Sequence, residues 1–223
     1  MIDYIYTNDP TKQAVIETTK LIKEHLIRGE QVLWLLSGGS GITIAVEVSK
    51  RLKLLDLSRL SVSLTDERFG IINHDNENWK QLLDAGFILP KANLYRPLIG
   101  KDIVPTTVAF GDWLFTQLEN SDFKIGIFGI GIDGHTAGIK PRSSAVSSPN
   151  LTASFIGSDF ARITITFPVI KQLDMAIIQV SGKNKLPIIH SLFTNSQSLD
   201  NQPAQIFKEL PHATLYTDNK ENL

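Results

Sequence analysis

The feature that most constrains the fold is an apolar run that ends in a glycine-rich turn. Residues 31–36 form a nearly continuous apolar run, residues 37–41 read Ser-Gly-Gly-Ser-Gly, and residues 42–55 repeat apolar side chains at helical spacing. A short apolar run bounded by turn residues is typical of a strand buried on both faces, as in a parallel sheet. The segment therefore predicts a strand, a tight turn and a helix.

The same alternation continues along the chain. Strands are predicted at residues 60–64, 124–129, 162–167, 175–180 and 213–217, and helices at residues 11–28, 76–85 and 183–192, with 113–118 as part of another. Strands that alternate with helices predict an α/β fold: one largely parallel sheet with helices on both faces, built as a single domain from residues 1–223. Residues 139–158, rich in serine, proline and glycine, are expected to form one long functional loop.

Composition excludes several classes of function. Lysine and arginine total 22 against 23 acidic residues, so there is no excess of positive charge for nucleic acid or an anionic membrane. The chain has no cysteine, which excludes disulfides, thiolate metal sites and a cysteine nucleophile. Its N-terminus lacks a signal-peptide pattern, and no apolar run is long enough to span a bilayer. A cytoplasmic protein is expected.

The glycine-rich turn is a candidate anion site. Its residues are Ser37, Gly38, Gly39 and Ser40. Glycines allow successive backbone N–H groups to point into one concavity, and the N-terminus of the following helix adds partial positive charge, so the turn suits a phosphate. A plain tight turn capped by serine is the alternative. The turn lacks the lysine of a P-loop, so a nucleoside triphosphate is not expected.

Two further segments offer charged groups. Residues 65–68, Thr-Asp-Glu-Arg, follow the predicted strand at 60–64. Arg68 can hold a phosphate by two parallel hydrogen bonds, and Asp66 can bind sugar hydroxyls or support Arg68, unless the segment is only a solvated helix cap. Lys185 stands near the start of a predicted helix, where the macrodipole disfavours a cation, so it needs an anionic partner unless it is an ordinary surface lysine.

The most informative motif is Gly-Ile-Gly-Ile-Asp-Gly-His-Thr at residues 129–136. It matches the G-x-G-x-x-G spacing of dinucleotide folds, but Pro141 and Pro149 disfavour the long helix that should follow, so no nucleotide cofactor is expected. What remains is a loop that presents Asp133 and His135 at the carboxyl end of a strand. Histidine can act as a general base near neutral pH, although a histidine in a loop is also often structural.

Five segments, in this order, resemble the glucosamine-6-phosphate isomerase and 6-phosphogluconolactonase family. They are residues 36–40, residues 65–68 with Asp75 and Asn78, residues 129–137, residues 162–166, and Gly182 with Lys185. The resemblance implies a Rossmann-like α/β domain that needs no nucleotide and no catalytic metal.

The residues after the histidine separate the branches of that family. Deaminases typically continue Asp-Gly-His with Ile-Ala-Phe-Asn-Glu-Pro, whereas residues 136–141 read Thr-Ala-Gly-Ile-Lys-Pro, which is similar to the lactonase pattern Thr-Ala-Ser-Leu-Phe-Pro. Arg68 also stands where deaminases carry tyrosine. The resemblance therefore favours the lactonase branch. The chain departs from the pattern at Gly41 and Ile42, which replace Thr-Pro, and at Lys140, which replaces an aromatic residue.

The lactonase resemblance implies hydrolysis of 6-phospho-D-glucono-1,5-lactone to 6-phospho-D-gluconate, in the oxidative branch of the pentose phosphate pathway. His135 is the expected base for water and Asp133 its expected partner, with backbone N–H groups of residues 129–134 as oxyanion donors. Expected substrate-binding residues are Ser37, Gly38, Gly39, Ser40, Asp66, Arg68, Gly134, Arg142 and Lys185. Of these, the 37–40 loop, Arg68 and Lys185 are expected to bind the phosphate, with Arg142 as a further partner. A glucosamine-6-phosphate deaminase with Asp66 as base and a non-catalytic sugar-phosphate sensor remain alternatives. A monomer or small homo-oligomer is expected.

Overall fold

The computed structural model describes residues 2–157 and 159–220. Its strands are β1 (Ile2–Tyr6), β2 (Val32–Leu36), β3 (Leu60–Leu64), β4 (Asp66–Arg68), β5 (Asn93–Leu94), β6 (Phe123–Phe128), β7 (Thr152–Ile156), β8 (Ala161–Ile165), β9 (Met175–Val180) and β10 (His212–Thr217). Its α-helices are α1 (Pro10–Ile27), α2 (Ser40–Leu52), α3 (Asn78–Asp84), α4 (Ile103–Asn120), α5 (Phe167–Ile170) and α6 (Leu186–Thr194).

Seven of these strands form one parallel sheet in the order β1-β10-β9-β6-β2-β3-β5. Strand β2 shows how both faces are buried, because successive side chains point to opposite sides of a strand. Leu33 and Leu35 pack with α4 and α6 in one apolar core, whereas Trp34 packs with α1, α2 and α3 in the other. The predicted largely parallel sheet with helices on both faces is confirmed.

A second, antiparallel sheet contains β4, β8 and β7, in that order. The predicted strand at 162–167 lies here and not in the parallel sheet, since a β-branched apolar pattern predicts a strand but not its partner. Residues 139–158 contain β7, so the expectation of one irregular loop was wrong over Thr152–Ile156; residue 158 lies outside the described residues. Ala153 and Phe155 of β7 pack against the core, which explains why this segment is ordered as a strand.

Helix α6 begins later than predicted. Residues 183–185 form a 3-10 turn, and α6 begins only at Leu186, where Pro187 occupies the first helical turn that tolerates proline. Helix α4 spans Ile103–Asn120 and contains residues 113–118, as predicted for part of a helix. No helix in the described part of the chain combines the length and the apolar character needed to cross a membrane.

The parallel sheet reverses its winding between β2 and β6, which are neighbours. The chain leaves β2 through α2 towards β3 on one side, while β6 has β9 on its other side. Connections that diverge in this way open a crevice at the carboxyl ends of the strands, the usual ligand site of an open α/β sheet. The 37–40 loop after β2 and the 129–135 loop after β6 both lie there.

Candidate functional site

An open cleft of about 240 Å³ lies at the carboxyl ends of β2 and β6. Both glycine-rich loops, strands β4 and β8 and the turn before α6 contribute to it. Its lining residues are Ser37, Gly38, Gly39, Asp66, Arg68, Asn78, Gly129, Ile130, Gly131, His135, Ala137, Arg162 and Lys185. The fold thus gathers seven of the sequence-predicted site residues in one place: Ser37, Gly38, Gly39, Asp66, Arg68, His135 and Lys185.

The other four predicted residues lie outside that lining. Ser40 is the first residue of α2. The exposed side chain of Asp133 contacts the ring of His135, and Gly134, at φ +83°, packs against the side chain of Gln202. The guanidinium of Arg142 reaches the side-chain oxygen of Asn201, 3.5 Å away.

The 37–40 loop explains one departure from the family pattern. Gly39 has φ +59°, in the left-handed region that favours glycine, and immediately precedes α2. A β-carbon on Gly41 would lie 2.3 Å from the hydroxyl of Ser37. The glycine at 41 therefore leaves the Ser37 hydroxyl room to lie against the first turn of α2.

The 129–135 loop is closed by its own hydrogen bonds. The N–H of Gly131 donates to the carbonyl of His135 at 2.9 Å, and the N–H of Gly134 donates to the carbonyl of Gly131 at 3.0 Å. The hydroxyl of buried Thr136 donates to the carbonyl of Gly129 at 3.0 Å. These bonds make the loop rigid, and they occupy two of the N–H groups that the sequence suggested as oxyanion donors.

Within this loop, His135 and Asp133 form a hydrogen-bonded pair. His135 Nδ1 lies 2.5 Å from Asp133 Oδ1, and the backbone N–H of His135 donates to the same oxygen at 3.2 Å. The hydrogen bond from His135 lowers the pKa of Asp133 to about 2, so the carboxylate is ionised at neutral pH. An ionised carboxylate only accepts hydrogen bonds, so Nδ1 carries the proton and Nε2 of the neutral ring is left as a base.

Strand β4 places Asp66 and Arg68 on the same side, because they are two residues apart. Burial raises the pKa of Asp66, while the nearby His135 and the guanidinium of Arg162 oppose that rise. The guanidinium of Arg68 donates to the carbonyl of Asn76 at 3.2 Å and lies over the ring of Phe160, 5.2 Å from its centre. Arg68 is thereby held at the edge of the cleft.

Arg162 is a cleft residue that the sequence reasoning did not single out. It stands opposite Arg68 across the β4–β8 pair and is only 8% exposed. Its guanidinium makes two hydrogen bonds to the carboxylate of Asp159, at 2.5 and 2.7 Å, and these hold the pKa of Asp159 well below its usual range. The sequence signal that could have identified Arg162 is a charged residue within a predicted strand that is otherwise β-branched.

Lys185 approaches the cleft from the turn before α6. Its ammonium donates to the carbonyl of Ile130 at 2.6 Å, so its charge lies beside the 129–135 loop. Burial lowers the pKa of Lys185, against the opposing effect of Asp133.

Asn78, the first residue of α3, is the second cleft residue that the sequence reasoning left without a role. Within residues 2–157 and 159–220, no three His, Asp or Glu side chains are grouped to hold a metal ion.

The model of the family described as glucosamine-6-phosphate isomerases/6-phosphogluconolactonase matches residues 8–216. The chain belongs to this family. It is 24% identical over 189 residues to a 6-phosphogluconolactonase of Chlamydia pneumoniae. That alignment covers 82% of this chain and 71% of the relative. It is 25% identical over 217 residues to a 6-phosphogluconolactonase of Synechocystis, and this alignment covers 88% of each chain.

Solved structures share the fold over almost the whole chain. The 6-phosphogluconolactonase of Thermotoga maritima superposes with a TM-score of 0.82 at 16% identity, covering 97% of this chain and 98% of that one. A monomeric glucosamine-6-phosphate deaminase superposes with a TM-score of 0.80 at 18% identity, covering 97% and 96%. The expected Rossmann-like fold is therefore confirmed, and both branches of the family share it.

Proposed function

We propose that this protein is a carboxylic ester hydrolase that converts 6-phospho-D-glucono-1,5-lactone to 6-phospho-D-gluconate. The observation that carries the proposal is His135, paired with the ionised Asp133, in a cleft that also contains the cations Arg68, Arg162 and Lys185. A phosphorylated lactone needs both parts, because its ester requires a base for water and its phosphate requires positive charge. The relatives named 6-phosphogluconolactonase support the same choice of substrate.

In the proposed reaction, Nε2 of His135 takes a proton from a water molecule as the water oxygen attacks the lactone carbonyl. The carbonyl oxygen becomes an oxyanion, and Asp133 stabilises the imidazolium that has formed. The tetrahedral intermediate then collapses, the bond between the carbonyl carbon and the ring oxygen breaks, and the imidazolium returns its proton to that oxygen. The product is the open-chain acid, and His135 is neutral again.

The cations of the cleft divide between the two ends of the substrate. Arg68 and Arg162 face each other across β4 and β8, and together with the 37–40 loop they bind the phosphate. Lys185 lies beside the loop that carries His135, so we assign its ammonium to the oxyanion. This differs from the sequence-based role of Lys185 as a phosphate ligand. The reason is that the N–H groups of Gly131 and Gly134 already have acceptors.

The deciding experiment is an assay on freshly generated 6-phosphogluconolactone, corrected for the spontaneous opening of the lactone. Enzyme-dependent acid formation is the expected result. The half-buried carboxyl of Asp66, whose pKa is raised, is the one observation that favours the isomerase branch, since such a group could take a proton from the sugar carbon. Ammonia release from glucosamine 6-phosphate without lactonase turnover would select that branch, and binding without any turnover would select the sensor.

A further inference from the structure

Glu67 is a buried carboxyl group that joins strand β4 to helix α3. Its side chain is fully buried, and it points away from the cleft because it alternates with Asp66 and Arg68 along the strand. Oε1 accepts the backbone N–H of Arg68 and of Asn78, each at 2.7 Å, and Oε2 accepts the N–H of Trp79 at 2.9 Å. The first turn of α3 is therefore capped from β4, since the preceding Glu77 side chain makes no capping bond.

Asn78 carries this link across to the 37–40 loop. Its amide nitrogen donates to the carbonyl of Asp66 at 3.0 Å, and the residue is only 2% exposed, at the cleft wall. A β-carbon on Gly38 would come within 2.3 Å of Asn78 Oδ1. Gly38 has no unusual φ that would by itself demand glycine, so the Asn78 amide is what excludes a side chain at 38.

The contact between Asn78 and Gly38 is steric. Among the described residues, Asn78 Oδ1 has no hydrogen-bond partner, so this atom acts as a spacer against the loop and not as an acceptor that ties it. The three residues Gly38, Asn78 and Glu67 thus form a continuous line from the 37–40 loop, through the wall of the cleft, to the strand that carries Arg68. We call this line the Glu67–Asn78 brace.

We propose that the Glu67–Asn78 brace sets the distance between the 37–40 loop and Arg68, so that both can bind the same phosphate. Glu67 and Asn78 are positioning residues in this scheme, because they act through the loop and the guanidinium. The inference deepens the proposed function and rests on it for the identity of the phosphorylated substrate. Since His135 is carried by a different loop, a disturbed brace weakens substrate binding and leaves the chemical step almost intact.

The test is a double-mutant cycle on Gly38→Ala and Asn78→Ala. Each single variant should raise KM for the lactone by about tenfold, and weaken inhibition by inorganic phosphate to a similar degree, with kcat within about threefold of wild type. In the double variant the new methyl group enters the space that the amide has left. Its KM should therefore be no higher than that of the worse single variant, whereas independent effects would multiply to about a hundredfold.

A matched control is Gly111→Ala, because the added methyl would come within 2.9 Å of the hydroxyl of buried Thr152, and both residues line a different pocket. It should change the melting temperature but not KM or phosphate binding.

For Glu67, Glu67→Gln keeps one oxygen acceptor and Glu67→Leu keeps none, so KM should rise further in the leucine variant. If the leucine variant does not fold, the glutamine variant still tests the brace through KM and phosphate binding.

Multiplicative effects in the double variant would overturn the brace, as would an Asn78→Ala protein with a lower melting temperature but an unchanged KM. The proposed function can fail separately. If the wild-type protein does not hydrolyse the lactone, inhibition can no longer be measured, but direct calorimetric binding of inorganic phosphate to the same variants still decides whether Gly38 and Asn78 are coupled.

Discussion

The imidazole of His135 lies in the space that a side chain on Gly131 would occupy. A β-carbon added to Gly131 would come within 2.1 Å of His135 Nδ1 and within 2.5 Å of Asp133 Oδ1. The ring and its carboxylate partner are therefore packed directly on the backbone of the 129–135 loop. This contact orients the ring before any substrate binds, which is the kind of preorganisation that a general base requires.

Gly131→Ala should accordingly displace the ring and lower kcat by about 10²-fold or more, since small displacements of a catalytic group have effects of that size. KM should change much less. The comparison is with Gly129→Ala in the same loop, where the added methyl would meet nothing closer than the carbonyl of Gln179 at 3.9 Å and the loss should be far smaller. Equal kcat values for the two variants would refute the packing argument.

Asp133→Asn should lower kcat by about 10²- to 10⁴-fold, because the neutral amide no longer stabilises the imidazolium or selects the tautomer. The pKa of Asp133, about 2, also makes a prediction for the wild-type protein. That group stays ionised from mildly acidic to alkaline pH, so the acid limb of kcat/KM should report the loss of one proton, from the imidazole. An acid limb that requires two protons would contradict this assignment.

Arg68→Ala and Lys185→Ala should separate the two ends of the substrate. Loss of a charged hydrogen bond costs about 1.5–3 kcal/mol, which corresponds to a change of about 10- to 100-fold in KM or in kcat. For Arg68→Ala the change should fall on KM, and for Lys185→Ala mainly on kcat. Lys171→Ala removes an exposed lysine paired with Glu209 and serves as the charge control. If Lys185→Ala changed KM alone, Lys185 would be a ligand of the phosphate and not of the oxyanion.

Glu67 predicts a pH dependence of stability. Burial raises its pKa from 4.5 to about 8, so between these values the folded state holds a proton that the unfolded state has lost. As the pH rises from 4.5 to about 8, the unfolded state is therefore favoured increasingly over the folded state, and the stability that the protonated group provides at low pH is lost. From pH 5 to pH 8 the free energy of unfolding should fall by on the order of 3 kcal/mol from this group.

Denaturant unfolding at several pH values measures this dependence. Glu67→Gln cannot lose a proton, so its free energy of unfolding should fall less over the same window. Glu47→Gln replaces an exposed glutamate on α2 and should retain the wild-type slope. A wild-type slope in Glu67→Gln would show that Glu67 is ionised in the folded state throughout.

Much of the fold could be predicted because its signals are local. The apolar run at 31–36, the glycines that follow and the helical spacing after them lie within 25 consecutive residues, and each is explained by backbone preference and burial. The antiparallel sheet could not be predicted in the same way. Its strands β4 and β8 are about a hundred residues apart, and a strand pattern carries no information about its partner.

The same limit applies to the cleft. His135 and Asp133 could be proposed because they occur in a glycine-rich turn at a strand end, and Arg68 because its charged segment directly follows a predicted strand. Asn78 could not be given a role, since its importance lies in the space beside Gly38, 40 positions earlier. The role of Arg162 likewise depends on Asp159 and on its position opposite Arg68, which only the β4–β8 pairing creates.

The most direct test of the central claim is kcat for His135→Ala in the lactone assay, corrected for spontaneous hydrolysis. If His135 is the base, kcat should fall by about 10²- to 10⁴-fold, while KM and the melting temperature remain close to wild type. A structural histidine would give the reverse pattern, with a lower melting temperature and full turnover in the folded fraction. A His135→Ala protein that retains wild-type kcat would contradict the mechanism.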